Sequence, residues 1–157
     1  MKNTTITDCI GMSTGQHVLD LSGIQTQIDL APDHIKALRK NFNQVSIKKT
    51  TDQNDQILLT LENVRGTDDA TILNVSLNKK EVGHFSLYGL DTASREEQGG
   101  KGLSFTIDVT DVIKELYLTD TIDSQTVVVH VYPRRTLSKP QDITIEKINI
   151  YRVQQKI

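Results

Sequence analysis

The sequence predicts an all-β fold, an antiparallel β-sandwich of about eight strands that is jelly-roll-like and carries one or two short helices. Apolar residues recur with a period close to two along most of the chain, which is typical of strands. The alternating runs are short and are bounded by Asn, Asp or Gly. Many short strands at this spacing favour a sandwich or barrel over a fold of alternating strands and helices.

The length and composition are those of one soluble globular domain. The chain has 157 residues, of which 36% are hydrophobic and 24% charged, and this length suffices to bury a core without disulfides. We expect residues 1–30 to form a connector and the first strands, and residues 31–157 to form the sandwich. No linker that would divide this single domain is evident.

The predicted strands follow in order, each with its apolar residues at positions of one parity. Side chains alternate between the two faces of a strand, so each run places its apolar residues on one face, which we expect to line the core. The runs are Ile24, Ile28 and Leu30; Val45 and Ile47; Ile57, Leu59 and Leu61; Leu73, Val75 and Leu77; Phe85 and Leu87; Leu103, Phe105, Ile107 and Val109; and Val127, Val129 and Val131.

The last predicted strand changes phase within itself. Ile143 and Ile145 have odd numbers, whereas Ile148 and Ile150 have even ones. Both pairs can face one core only if a residue is inserted between them, so we predict a bulge or bend at Glu146–Lys147. The alternative is two strands that belong to different sheets.

Two segments have a helical pattern. In residues 110–117, Thr110 is a good N-cap and Asp111 suits the positive end of the helix dipole. In residues 32–42, Pro32 stands in the first turn and the apolar residues share one face. Residues 91–102 have no regular pattern, and such a loop is either functional or simply mobile and solvated.

Charge and cysteine content exclude several classes of protein. The net charge of −2 gives no bias toward nucleic acid or anionic membranes, and the basic patch Arg134, Arg135 and Lys139 has no interleaved aromatic residues. A single cysteine, Cys9, excludes an internal disulfide. The chain has neither an apolar run near the ~20 residues of a membrane span nor a signal peptide. We expect no nucleic-acid partner, no membrane association and a cytoplasmic location, unless a targeting signal lies outside this segment.

Gly11–Gly15 matches the G-x-S-x-G pattern of a hydrolase nucleophile elbow around Ser13. That motif needs a strand-to-helix turn above a parallel sheet, whereas residues 16–21 have a strand pattern. A Gly/Ser/Thr turn is therefore the simpler interpretation. A small serine hydrolase built on Ser13 remains a hypothesis to test.

We predict no metal site in this chain. No two of the four histidines are three or four residues apart, which excludes helical ligand pairs, and His84 and His130 have a phase that faces solvent. The acidic pairs, Asp52/Asp55, Asp68/Asp69 and Asp120/Asp123, have the character of turn residues. Gly100–Gly102 lacks the pattern of a phosphate-binding loop. The histidines are His17, His34, His84 and His130.

Five landmarks occur in order along the chain. They are Ile57–Val64 followed by Gly66, then Val82–Gly89, Leu103–Asp111, Val131–Arg134 and Ile148–Arg152. In this order they resemble the β-rich C-terminal domain that follows the copper domain of tyrosinases, polyphenol oxidases and molluscan haemocyanins. The resemblance covers about residues 11–153, and residues 11–30 resemble the connector that leaves the copper domain.

The resemblance implies a non-catalytic role. Type-3 copper needs six histidines, and this chain has four, so the dinuclear copper belongs to a partner catalytic domain, on the same chain or a separate one. In such proteins the β domain covers the copper pocket as a lid or chaperone and can insert one side chain as a substrate placeholder, which keeps the enzyme latent. The candidates here are Leu61 and Val64, which are equally well explained as core or strand-end residues, and then Tyr88 and Leu90.

A second hypothesis is a free-standing adhesion or carbohydrate-binding sandwich. Such modules usually stack sugars on exposed aromatic rings. With no Trp, three Phe and four Tyr, this chain is poorly equipped for that mode of binding.

Overall fold

The described part of the chain forms nine strands and three helices. The computed structural model describes residues 4–13, 15–48, 53–67, 71–95, 100–118, 126–135 and 143–156. The elements are β1 Thr4–Met12, β2 His17–Val18, β3 Ile24–Asp29, α1 Pro32–Lys48, β4 Gln53–Gly66, β5 Ile72–Leu77, β6 Lys80–Ser86, α2 Leu90–Ser94, β7 Leu103–Asp108, α3 Thr110–Leu118, β8 Thr126–Pro133 and β9 Ile143–Lys156.

The strands pair into two antiparallel sheets, which confirms the predicted fold class. One sheet has the order β1-β9-β4-β7, with β2 also paired to β9, and the other has the order β3-β8-β5-β6. The three strands within residues 1–30 pair in both sheets. None of the helices in the described ranges is long and apolar enough to cross a membrane.

The core lies between the sheets and contains the alternating residues of the predicted strands. Burying one such aliphatic side chain stabilises a fold by about 1.5–3 kcal/mol. At one side of the sandwich, Phe85 of β6 stacks on Phe105 of β7 with ring centroids 4.1 Å apart. The fully buried core side chains include Ile57, Leu59, Leu61, Leu73, Val75, Leu77, Val127, Val129, Val131, Ile143, Ile145, Ile148 and Ile150.

The phase change in β9 is matched by one in β4. Strand β9 is continuous, so the alternative of two strands in different sheets is wrong. Leu61 pairs with Ile148 and Val64 with Ile145, and all four are buried. In β9 the change of phase lies between Ile145 and Ile148, at the predicted Glu146–Lys147, and the register of β9 against β4 is unbroken there. Strand β4 has a register shift against β7 at the left-handed residue Asn63 (φ 56°). Asparagine tolerates this conformation better than most residues, which explains why the bulge is on this strand.

The helices differ from the predictions in three respects. Val45 and Ile47 lie in α1 rather than in a strand, because no Gly or Pro interrupts the segment from residue 33 to residue 48. Helix α2 occupies the start of the predicted structureless segment 91–102. Thr110 begins α3, but its hydroxyl accepts a hydrogen bond from Ile57 N and donates one to Asp108, which ties the helix to β4.

A buried ion pair joins β4 to β9. The Arg152 guanidinium donates to both carboxylate oxygens of Asp55, at 3.1 and 3.3 Å, and the two side chains are only 4% and 5% exposed. The same guanidinium lies 3.2 Å from His34 Nδ1 of α1. Asp55 is therefore a strand residue with a buried partner and not the turn residue that we predicted.

Candidate docking surface

Three of the four placeholder candidates lie in the core of this chain. Leu61, Val64 and Leu90 are each 0% exposed. For Leu61 the structure thus agrees with the alternative interpretation as a core residue, whereas Val64 is also core and does not end a strand, because β4 continues to Gly66. To enter a pocket on another domain, any of the three would have to leave its own core, at a cost of about 1.5–3 kcal/mol.

The fourth candidate, Tyr88, is on the surface. Its side chain is 84% exposed, more than Val18, Met12 or Leu21, the other large apolar side chains found exposed in the described ranges. Tyrosine combines an apolar ring with a polar tip, so a side chain of this type is well suited to burial in a second protein.

A tight turn projects Tyr88 outward. Leu90 N donates to Leu87 O at 2.9 Å, and Gly89 has φ 86° and ψ 0°, which is the geometry of the third residue of a type II turn. Glycine adopts this conformation without strain. Leu87 and Leu90 are fully buried on either side of the turn, so the core fixes both ends while Tyr88 points away from it.

Helix α2 and the following chain hold this turn against β4. Ala93 N donates to Gly89 O at 3.0 Å, and Gly102 N donates to Ala93 O at 3.0 Å. On the β4 side, the Ser94 hydroxyl accepts a hydrogen bond from Gly66 N at 2.9 Å. Backbone hydrogen bonds thus hold the turn to α2 and the following chain, and the Ser94 hydroxyl attaches this unit to the sheet, which favours a single conformation.

A cleft of about 320 Å³ lies between α2 and the end of β4, and its lining includes Asp91, which is three residues after Tyr88 in the sequence. Arg95 forms a 3.0 Å ion pair with Asp91 at its rim. Arg65 lies 4.0 Å from Glu146, and its Nε is buried with no hydrogen-bond partner among the described residues.

Sequence reasoning identified Tyr88 but missed the two arginines. Arg65 and Arg95 are thirty positions apart in the chain, and only the contact between α2 and β4 brings them together. The signal that could have singled out Tyr88 over Leu90 is the Tyr88–Gly89 pair, because Gly in the third position of a turn exposes the residue before it.

Ser13 has a structural role that differs from that of a nucleophile. Its Oγ accepts a hydrogen bond from Ile148 N at 3.0 Å, and its own N donates to Ile148 O at 2.9 Å. The serine therefore extends the pairing of β1 with β9 in an antiparallel sheet. In the part of the chain that the structure describes, β1 is followed by strand β2 and not by the helix that a nucleophile elbow requires.

The histidines and carboxylates are dispersed. No group of three His, Cys, Asp or Glu side chains that could hold a metal ion is found within the described ranges. Asp55 and Asp108 border a depression of about 590 Å³, but Arg152 and Thr110 already engage them. Asp68, Asp69, Asp120, Asp123, Asp52 and Lys139 lie outside the described residues.

Burial perturbs two groups near β1 and β2. Desolvation lowers the pKa of His17, whose Nε2 is buried without a partner among the described residues. Partial burial also raises the pKa of the Cys9 thiol, and the negative charge of Glu62 adds to this effect. A thiol with a raised pKa is mostly protonated near neutral pH and is therefore a poor nucleophile or metal ligand.

Comparison with known proteins identifies relatives over most of the chain. The family model described as "Domain of unknown function (DUF7868)" matches residues 6–153. Over 105 residues, 60% of this chain, the sequence is 25% identical to "Tyrosinase HcTyr1" of Hahella sp. (strain CCB-MM4). The chain spans about a fifth of the length of that relative, 22%.

Two solved structures have the same fold as this chain. A latent aurone synthase (polyphenol oxidase) superposes with a TM-score of 0.55 at 12% identity, over 90% of this chain and 26% of that one. BuGH86, in complex with neoagarooctaose, superposes with a TM-score of 0.52 at 8% identity, over 98% of this chain and 19% of that one. Together with the curated relative, the first confirms the resemblance to tyrosinases and polyphenol oxidases.

Proposed function

We propose, for a chain that belongs to the family described as "Domain of unknown function (DUF7868)", that it covers the copper site of a tyrosinase-like catalytic domain and catalyses no reaction itself. The similarity to about a fifth of a tyrosinase supports a part of the protein separate from the catalytic one. In this proposal the catalytic domain holds both copper ions, and this chain contributes only a surface.

The exposure of Tyr88 on a fixed turn is the observation that carries the proposal. Its side chain is a phenol, the same chemical class as the substrates that the tyrosinase resemblance implies. A phenol ring seated in the pocket excludes a substrate phenol sterically and keeps water from the site. Because both ends of the turn are anchored in the core, the ring is already presented in a form that can enter a cavity.

The energetics favour this side chain over the three buried candidates. An aromatic side chain buries about 150–250 Å², and an exposed ring brings this area to an interface without first leaving a core. Binding a preformed turn orders little more than one side chain, at a cost of about 0.5–1.5 kcal/mol. A lid built on Leu61, Val64 or Leu90 would first have to open the core.

The test is inhibition of a tyrosinase catalytic domain from the same source. The purified chain is added at increasing concentration, and oxidation of a monophenol is followed. We expect the wild-type chain to suppress oxidation and Tyr88→Ala to weaken the inhibition at least tenfold, since each factor of ten corresponds to about 1.4 kcal/mol.

A matched control separates the turn from the rest of the surface. His84 is exposed on β6, two residues before the end of that strand, so His84→Ala should inhibit like the wild type. If the wild-type chain neither binds nor inhibits, the proposal fails. If Tyr88→Ala inhibits as well as the wild type, the lid is formed by another part of the chain.

A further inference from the structure

A second depression, of about 390 Å³, lies on the outer face of the four-stranded sheet. It is next to the β5–β6 turn, at the end of β6 opposite the one that leads to Tyr88. From Lys80 to Ser86, the ends of β6, the six residue steps span roughly 20 Å at about 3.3 Å each, so the two sites are separate. The lining residues are Gln25, Ser76, Asn78, Lys79, Val128 and His130.

The β5–β6 turn fixes the side chain of Asn78. Both turn residues, Asn78 (φ 49°) and Lys79 (φ 72°), are left-handed, as in the two-residue type I′ hairpin. Asn78 N donates to Val128 O at 2.8 Å, and Asn78 Oδ1 accepts from Val128 N at 2.7 Å. This bond fixes the orientation of the amide, and Nδ2, a donor with no hydrogen-bond partner among the described residues, is left for a ligand.

His130 is oriented in a similar way. Its Nε2 lies 3.1 Å from the Ser22 carbonyl oxygen, which can only accept a hydrogen bond, so Nε2 carries the proton. In this tautomer Nδ1 is an acceptor. Tyr132, two residues along the same face of β8, packs against the imidazole with centroids 4.7 Å apart.

The remaining lining groups complete a row across three strands. His130 pairs with Gln25 of β3 on one side and with Ser76 of β5 on the other. An amide, an imidazole and a hydroxyl thus stand on neighbouring strands, about 4.8 Å apart, beside the apolar side chain of Val128. Among the described lining residues there is no carboxylate and one ammonium group, that of Lys79, which does not favour a multiply charged ligand.

We propose that this depression binds one sugar unit of a neutral oligosaccharide. Sugar hydroxyls need both donors and acceptors at fixed positions, and Asn78 Nδ2 and His130 Nδ1 provide one of each. The C–H groups of a sugar ring can contact Val128. A volume of about 390 Å³ falls within the range of about 300–1,000 Å³ that is usual for small-ligand pockets. This site does not depend on the lid function.

The test uses the full isotope-labelled chain and three neutral probes: cellohexaose, xylohexaose and laminarihexaose at millimolar concentration. We expect at least one of them to shift the backbone amide resonances of Asn78, Val128 and His130. Asn78→Asp retains the acceptor for Val128 N–H and deletes the Nδ2 donor, so it should weaken binding about tenfold. His130→Phe retains a ring and deletes both nitrogens, and should do the same.

One further variant in the depression and one control outside it complete the test. Gln25→Ala alters an exposed side chain and tests the site even if Asn78→Asp fails to fold, with a several-fold loss expected. His84→Ala lies on the same sheet outside the depression and should bind like the wild type. The proposal is overturned if none of the three probes causes shifts, if the shifts map to another surface, or if Gln25→Ala and His130→Phe both bind unchanged.

Discussion

The segment around Leu61–Val64 and the turn Leu87–Leu90 both place a left-handed residue among apolar ones, yet they expose different side chains. In β4 the left-handed residue is Asn63, inside a strand, and the flanking Leu61 and Val64 both point into the core. In the turn it is Gly89, and the chain reverses there, so the preceding Tyr88 is exposed. The conformation of the neighbouring chain, rather than the positive φ itself, determines which side chain a second protein can reach.

The two regions also differ in how their polar groups are satisfied. Asn63 N donates to the Ser104 hydroxyl of β7, and Asn63 Nδ2 donates to Glu146 of β9, so strands on both sides hold the bulge. In the Leu87–Leu90 turn both end residues are held, because Leu87 N donates to Thr71 O and Leu90 begins α2, whereas the Tyr88 side chain between them is exposed. The bulge is therefore a structural element, whereas the tip of the turn is free to contact a partner.

The loss of stability should differ most between the two regions when Leu61→Ala is compared with Tyr88→Ala. Removing a fully buried leucine typically costs about 2–5 kcal/mol of stability, whereas Tyr88→Ala at an exposed position should change stability by less than about 0.5 kcal/mol. Urea unfolding of both variants measures this. A stable Leu61→Ala protein that has lost its inhibition of the catalytic domain would move the lid from the turn to β4.

Gly89→Ala should have an intermediate effect that is confined to the turn. No atom lies within 4 Å of the added Cβ, so the cost is the strain of φ 86° alone, about 1–2 kcal/mol. We expect lower thermal stability together with weaker inhibition. Gly15→Ala is the matched control, because it has φ 79° and equally open space. Equal inhibition by the two variants would contradict a preformed Tyr88 turn.

Asn63→Gly tests the bulge with a smaller change. Glycine accepts the left-handed backbone, so the variant loses chiefly the hydrogen bond to Glu146, which contributes about 0.5–1.5 kcal/mol. Chemical denaturation should show this loss, and inhibition of the catalytic domain should stay the same. An unchanged stability would mean that Asn63 is needed only for its conformation.

The smallest expected effect is a pH dependence of stability that arises from His17 in β2, which is separated from β4 by strand β9. His17 pairs with Ile145, which pairs with Val64 on its other side. Burial lowers the pKa of His17, so below its ordinary pKa of about 6.5 the unfolded chain binds a proton that the folded chain does not. Stability should therefore fall as pH drops through that value. In His17→Gln, thermal unfolding followed against pH should show less of this fall. An identical pH profile in the two proteins would argue against the burial of the His17 ring.

The strand pattern was predictable because period two is a local property, and Val127, Val129 and Val131 are all buried as expected. Val45 and Ile47 show its limit, since two apolar residues at this spacing also fit a helix that nothing interrupts. Asp55 resembled a turn residue because its partner, Arg152, comes from a strand at the other end of the sequence.

The candidate site was predictable only in part. Four placeholder residues were named from sequence landmarks, and burial, which a sequence does not reveal for isolated apolar residues, separates Tyr88 from the other three. The depression at Asn78 and His130 was not predicted. Its residues come from three strands and one turn, and the fixed state of both side chains depends on hydrogen bonds to Val128 and Ser22.

The position of β9 has a consequence for how the molecule folds. This strand lies between β1 and β4, so Thr4 and Gln53 both have residue 156 as their pairing partner. Neither β1 nor β4 can form its pairing with β9 until residues 143–156 dock between them. Contacts between residues so far apart in the sequence make folding slow. Entry of this one strand therefore decides whether the five-stranded sheet exists at all, and we expect the molecule to unfold in a single cooperative transition.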